Sequence, residues 1–174
     1  MRLLGLSLVL LALPAAALAD LSGRVIAVHD GDTLTVLEQG RKVRIDLDGI
    51  DAPELSQRYG WAALRTLSRL CRGRAASVDE RGKDDEGNVL GTVTCEGQGG
   101  GREPAKVDAN AELVKRGLAW VYRTYLPLGS PLYELETNAR LMQRGLWQDK
   151  DPVPPWEWRK QHAEPAAKPA AAAR

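Results

Sequence analysis

Two short acidic segments stand out in the chain, Asp30-Gly31-Asp32-Thr33 and Gly49-Ile50-Asp51-Ala52-Pro53-Glu54. Carboxylates and backbone carbonyls are the donors that a hard divalent cation such as Ca²⁺ prefers. Asp32 and Asp51 can supply two carboxylates and Ala52 a carbonyl oxygen, with Pro53 fixing the backbone beside them. Glu54 falls one turn further on, near such an ion without being committed to it. That is the place for a general base that takes a proton from an attacking water. Taken singly, each carboxylate has a plainer role. Asp in an Asp-Gly turn caps the turn, and Glu after Pro suits a helix start through the helix dipole. The combination is what selects them.

The elements that must position these residues are legible from periodicity. Apolar alternation runs through Arg24–Val28, Thr33–Leu37 and Lys42–Leu47, broken by turn residues at 29–32 and at Gln39-Gly40, which predicts a three-stranded antiparallel meander. A helix is predicted over 57–71, with Trp61, Leu64, Leu67, Leu70 and Cys71 on its apolar face and Gly73 as the stop. Two more strands are predicted near 75–78 and 89–94, then a flexible glycine-rich loop over 97–101. Further helices are predicted over 110–116, with Asp108 and Asn110 as capping candidates and Gly117 as the end, and over 132–144, stopping at Gly145. Leu118–Tyr125 reads as strand-like, and Trp61, Trp120 and Trp147 are expected in the core. The fold class is α+β, mainly β: a five-stranded OB-type Greek-key barrel with about three helices packed on it.

The ends are of different character. Met1-Arg2, an apolar run from Leu3 to Leu13 and the small residues Ala17-Leu18-Ala19 predict a secretory signal peptide over 1–19, the run being shorter than the ~20 residues a membrane span needs. The folded domain is expected over 20–160, soluble and without membrane attachment, in a periplasm or outside the cell. Within it, 151–160 is a proline- and tryptophan-rich extended arm that Trp156 and Trp158 pack back on the domain. The Ala/Pro-rich stretch 161–174 reads as a disordered tail. Cys71 and Cys95 form a candidate disulfide in an oxidising compartment, the alternative being two buried thiols.

Charge excludes one class of behaviour. The chain holds 24 Lys+Arg against 23 Asp+Glu, and losing Arg2 with the leader leaves the two equal. A general polyanion-binding surface needs a basic excess, so nucleic-acid binding must rest on a local patch or a metal. His29 and His162 lie far apart in sequence, and no histidine metal site is expected. The expected state is a monomer, and no protein partner is specified.

In order and spacing, the two acidic segments and Asn110–Ala119, together with Gly145-Leu146-Trp147 and Pro155-Trp156-Glu157-Trp158-Arg159, resemble the staphylococcal (micrococcal, thermo-) nuclease family over nearly the whole domain to Lys160. The resemblance implies an OB-fold, Ca²⁺ or another divalent cation, and hydrolysis of DNA or RNA phosphodiesters. It implies Asp32 and Asp51 as metal ligands and Glu54 as the base. It also implies that Tyr122 and Tyr125 stack on a base or sugar, with core packing as the alternative.

The chain departs from the family at two positions. Phosphodiester cleavage builds negative charge on phosphoryl oxygens, which the family meets with two arginines. The first stands eight residues before the glutamate, where this chain has Asp46. The second follows the glycine of an Asp-x-Tyr-Gly-Arg turn, where this chain has Asn88, with Glu86 in place of the tyrosine. Loss of one such donor costs roughly 10²–10³ in rate. Arg44 shares a strand face with Asp46, about 7 Å away, and can substitute directly or through a two-residue insertion in the strand. Equally, Arg44 and Asp46 form a surface ion pair, or Asp46 is a further metal ligand. Arg81, Lys83 and Arg102 lie near the second gap in sequence, with nothing to select one. Two readings follow: an exported Ca²⁺-dependent nuclease weakened by both losses, or a non-catalytic OB-fold module that binds metal, nucleic acid or a protein.

Overall fold

The computed structural model describes residues 21–97, 105–124 and 126–163. The expected leader over 1–19, Arg102 and the glycine-rich stretch after Gly97, Tyr125, and the tail from 164 lie outside those residues.

Strands β1 (Leu21–Val28), β2 (Thr33–Glu38) and β3 (Arg41–Leu47) form the expected antiparallel meander. Gln39 and Gly40 both have positive φ, 45° and 84°, so Glu38 and Arg41 are joined by the two-residue turn whose twist matches that of the strands. The two-residue strand β4 (Ile50–Asp51) and helix α1 (Gly60–Cys71) follow, then the hairpin β5 (Ala75–Lys83) and β6 (Val89–Glu96). β1 pairs with β5, and β6 returns to pair in parallel with β3, which closes a five-stranded barrel in the order β3-β2-β1-β5-β6. Alternate side chains fill it: Val25, Leu34, Val36, Ile45, Val78 and Val93 expose no surface. This is the mainly-β OB-type architecture that the alternation predicts.

The short strand β7 (Lys106–Asp108) leads into α2 (Ala109–Lys115), and β8 (Trp120–Val121) into α3 (Pro131–Leu141). A 3-10 turn at Gly145–Gln148 and α4 (Pro155–His162) complete the described chain. Asp108 caps α2 by accepting from the Ala111 N–H at 2.9 Å. Asn110 is buried instead and ties the helix to the barrel: its Oδ1 accepts from the Val93 N–H at 3.0 Å and its Nδ2 donates to the Asp48 carbonyl at 2.8 Å. Gly117, at φ 66°, ends α2 with paired bonds from Gly117 N to Val114 O and from Leu118 N to Leu113 O. Cys71, the last residue of α1, is bonded to Cys95 on β6.

Four expectations are corrected. β5 runs to Lys83 rather than ending near Val78, because its charged distal half is exposed and held only by backbone pairing with β6, so no alternation marks it. Among the described residues of the strand-like run, only Trp120 and Val121 pair, with β4. Trp61 is 57% exposed, since α1 buries Ala63, Thr66, Leu67 and Cys71 instead. The closing segment is extended only to Pro154. Pro155 then opens α4, which takes in Gln161 and His162; proline fits a helix's first turn, where its missing N–H has no partner to lose. Trp156 does pack back on the domain, edge-on to Trp120 and Tyr122.

Candidate active site

The turn between β1 and β2 is shaped by Asp30, whose Oδ1 accepts from the N–H groups of Asp32 at 3.2 Å and Thr33 at 2.7 Å. This aims Asp32 at the segment after β3. There its Oδ2 accepts from the Ala52 N–H at 2.6 Å, joining the two acidic segments across 20 residues of sequence. Asp51 is held in place by β4, which pairs with β8, while the buried Glu136 of α3 accepts from the Val121 N–H at 3.0 Å and anchors β8 in turn. Glu54 is fixed by a reciprocal contact with Gln57, whose side chain accepts from the Glu54 N–H at 2.8 Å and whose N–H donates to the Glu54 carbonyl at 2.8 Å.

Asp32, Asp51, Ala52 and Glu54 therefore share one wall of an open cleft of about 1570 Å³. Tyr122 lines it too, its N–H bonded to the Gly49 carbonyl. Burial pushes the Asp32 carboxyl well up, and the negative charges of Asp30 and Asp51 add to this. Burial also raises Asp51, opposed by Arg159.

Arg159 of α4 is the residue that sequence reasoning did not single out. It donates to Asp51 through Nη2–Oδ2 at 2.7 Å and Nη1–Oδ1 at 3.2 Å, and to Glu54 through Nη1–Oε1 at 2.7 Å. Hydrogen bonds to Asp51 raise the guanidinium further above its ordinary range. The only signal for it was its place in the closing Trp156–Arg159 segment. Nothing local links it to Glu54, 105 residues earlier.

An adjoining wall of the same cleft carries Asp46, the strand partner of Thr33, at the position where the resemblance implies an arginine. The register of β2 with β3 is unbroken, with Thr33 opposite Asp46 and Thr35 opposite Arg44, so no insertion moves Arg44 into that position. Arg44 is exposed, does not line the cleft, and forms no ion pair with Asp46 among the described residues. Asp46 is met by Asn88, whose Nδ2 donates to Asp46 Oδ2 at 3.3 Å and to Asp84 Oδ2 at 2.8 Å. The two departures have thus become partners. Burial raises the Asp46 carboxyl, and the neighbouring Asp84 raises it further. Arg81 and Lys83, from the exposed end of β5, line the rim.

The donors on the first wall fit a hard cation. They are all oxygen, and two carboxyls pushed up by burial and by neighbouring carboxylates would be relieved by a positive charge between them. No closed cage of three or more carboxylate, imidazole or thiolate side chains is present among the described residues, so an ion here would complete its shell with carbonyl and water. His29 and His162, distant in sequence, both border a smaller neighbouring cleft, where His162 stacks on Trp158 at 3.8 Å.

A closed OB-type barrel with paired carboxylates facing an open groove defines a class of barrel proteins with an oxygen-donor site. Residues 44–149 match the staphylococcal nuclease homologue family, and the chain belongs to that family. It is 38% identical over 156 residues to protein ParB of Escherichia coli, covering 89% of this chain and 88% of that protein. It is 40% identical over 141 residues to an uncharacterized endonuclease of Escherichia coli, covering 81% and 86%. To a micrococcal nuclease of Shigella flexneri it is 37% identical over 153 residues, covering 87% and 88%.

Proposed function

We propose that this protein is an exported, Ca²⁺-dependent nuclease that hydrolyses phosphodiester bonds of DNA or RNA. The observation that carries the reading is the 2.6 Å bond from Ala52 N to Asp32, which ties together the two segments that bring Asp32, Asp51 and Glu54 to one open cleft. Asp32 and Asp51 would hold the ion, with the Ala52 carbonyl beside them. When bound, that ion polarises the phosphoryl group and neutralises part of its charge. Glu54 accepts the proton of the attacking water. Tyr122 offers an aromatic edge to a base or sugar. Export is supported by the leader-like residues 1–19 and by the Cys71–Cys95 disulfide, which suits an oxidising compartment.

A second reading, a non-catalytic binding module, is favoured by the Asp46–Asn88–Asp84 network, which itself contains no guanidinium. The two are separated by assaying cleavage with Ca²⁺, Mg²⁺, Mn²⁺ and EDTA alongside Glu54→Ala. Metal-dependent cleavage lost in the variant supports the enzyme. Folded wild-type protein inert under every metal sinks it.

A further inference from the structure

We infer that Arg159 is the phosphate-binding catalytic residue of this chain, a guanidinium supplied by α4 in place of the two absent at Asp46 and Asn88. The inference rests on the nuclease reading above. Charge developing on phosphoryl oxygens calls for a planar, two-pronged donor, which among side chains means arginine. Asp46 cannot provide it, and the Asn88 amide is already committed to Asp46 and Asp84. Arg81 is paired with Asp79 at 2.8 Å. Arg159 alone among the described cations forms ion pairs with both Asp51 and Glu54.

Its placement suits the role. Asp30, Glu54 and Arg159 border both the large cleft and the smaller one of about 480 Å³ beside it. Arg159 therefore stands on the ridge between two depressions, and a strand laid from one to the other passes over it. The helix that delivers it is well anchored. Trp156 packs edge-on against Trp120 and Tyr122 at 5.8 and 5.6 Å. Trp158 Nε1 donates to Ser56 Oγ at 3.3 Å, and Gln57 Nε2 donates to the Val153 carbonyl at 3.1 Å. The side chain itself stays 51% exposed, so a phosphate in the cleft can reach its guanidinium while its backbone is held.

The present contacts also explain how it is released. Arg159 now neutralises Asp51 and Glu54 together. A divalent ion held by Asp51 would take that partner from Arg159, which would then turn to a phosphoryl oxygen and leave Glu54 to accept a proton. Arg159 is thus a counter-charge to Asp51 and Glu54 and a donor to the substrate.

The test compares wild type, Arg159→Gln and Arg159→Lys in three measurements: Ca²⁺ affinity by calorimetry, affinity of the Ca²⁺-loaded protein for a short phosphorothioate oligonucleotide, and steady-state cleavage. Arg159→Gln is expected to bind Ca²⁺ up to about fivefold tighter, because a competing exposed ion pair is gone. It should bind the oligonucleotide several-fold more weakly, and its kcat should fall about 10²-fold, more than KM rises. Arg159→Lys should lie between the two. An Arg159→Gln variant whose kcat equals or exceeds wild type overturns the assignment and marks Arg159 as a plug. If wild type itself does not cleave, the nuclease reading falls, and the oligonucleotide alone decides: equal affinity in wild type and Arg159→Gln overturns phosphate binding by Arg159.

Discussion

The two walls of the cleft place carboxylates under the same pressure and resolve it differently. On one wall Asp32 and Asp51 are raised by burial and by neighbouring carboxylates, and the charge brought against Asp51 is Arg159, half exposed and carried on a separate helix. On the other, Asp46 is raised by burial and by Asp84, and its partner is the uncharged Asn88 amide from the β5–β6 turn. A cationic side chain can be exchanged for a metal ion, since both satisfy the same negative charge. An amide bridging two carboxylates offers no such exchange. The first wall is thus built to change partners, and the second to keep them.

Removing the base from the first wall should have the largest effect. Glu54→Ala should lower kcat by about 10²–10⁴ while leaving the cation-induced rise in Tm intact, and cleavage persisting near the wild-type rate would show that another group takes the proton. Giving the second wall back its donors should work in the opposite direction. Asp46→Arg combined with Asn88→Arg should raise kcat by roughly 10²-fold, and no gain in a folded double variant would mean that the second wall does not limit the rate.

Next in size comes the support behind Asp51. Glu136→Ala leaves the Val121 N–H and two arginines without their buried acceptor, which should cost about 2–4 kcal/mol in urea unfolding. An unchanged midpoint would show that β8 is held by other contacts.

The smallest effect separates the walls most cleanly. A carboxyl whose folded pKa is raised contributes stability that is fully present below its unfolded pKa, about 3.9. That contribution is lost as pH rises through the raised folded value. Asp32→Asn and Asp46→Asn should therefore each flatten the fall in stability across that window and raise Tm at neutral pH by about 2–4 °C. Only Asp32→Asn should lose the Tm increase on adding Ca²⁺. If both variants lose it, Asp46 is a metal ligand and the contrast between the walls fails.

How much of this could be read in advance follows from the range of the forces involved. The barrel strands were legible because each buries one face, so Val25, Leu34, Val36 and Ile45 alternate with polar residues. Asp32, Asp51 and Glu54 were legible because short turns fix them relative to those strands. The outer half of β5 was not, because its side chains are exposed and its pairing is a backbone property. Trp61 misled because helical spacing marks an apolar stripe without saying which edge of it the barrel covers. Arg159, the Asp46–Asn88 contact and the sharing of one cleft by His29 and His162 depend on chain closure over long separations, for which a linear pattern has no counterpart.

That separation has a consequence for biosynthesis. Asp51 and Glu54 leave the ribosome about a hundred residues before Arg159, an interval on the order of 5–20 seconds at about 5–20 residues per second. The barrel meander and its acidic turns can form in that time, but their counter-charge arrives only when α4 is made. A chain cut short before Pro155 keeps both carboxylates and loses the guanidinium, so premature termination yields a chain with the acidic wall but without its resident cation.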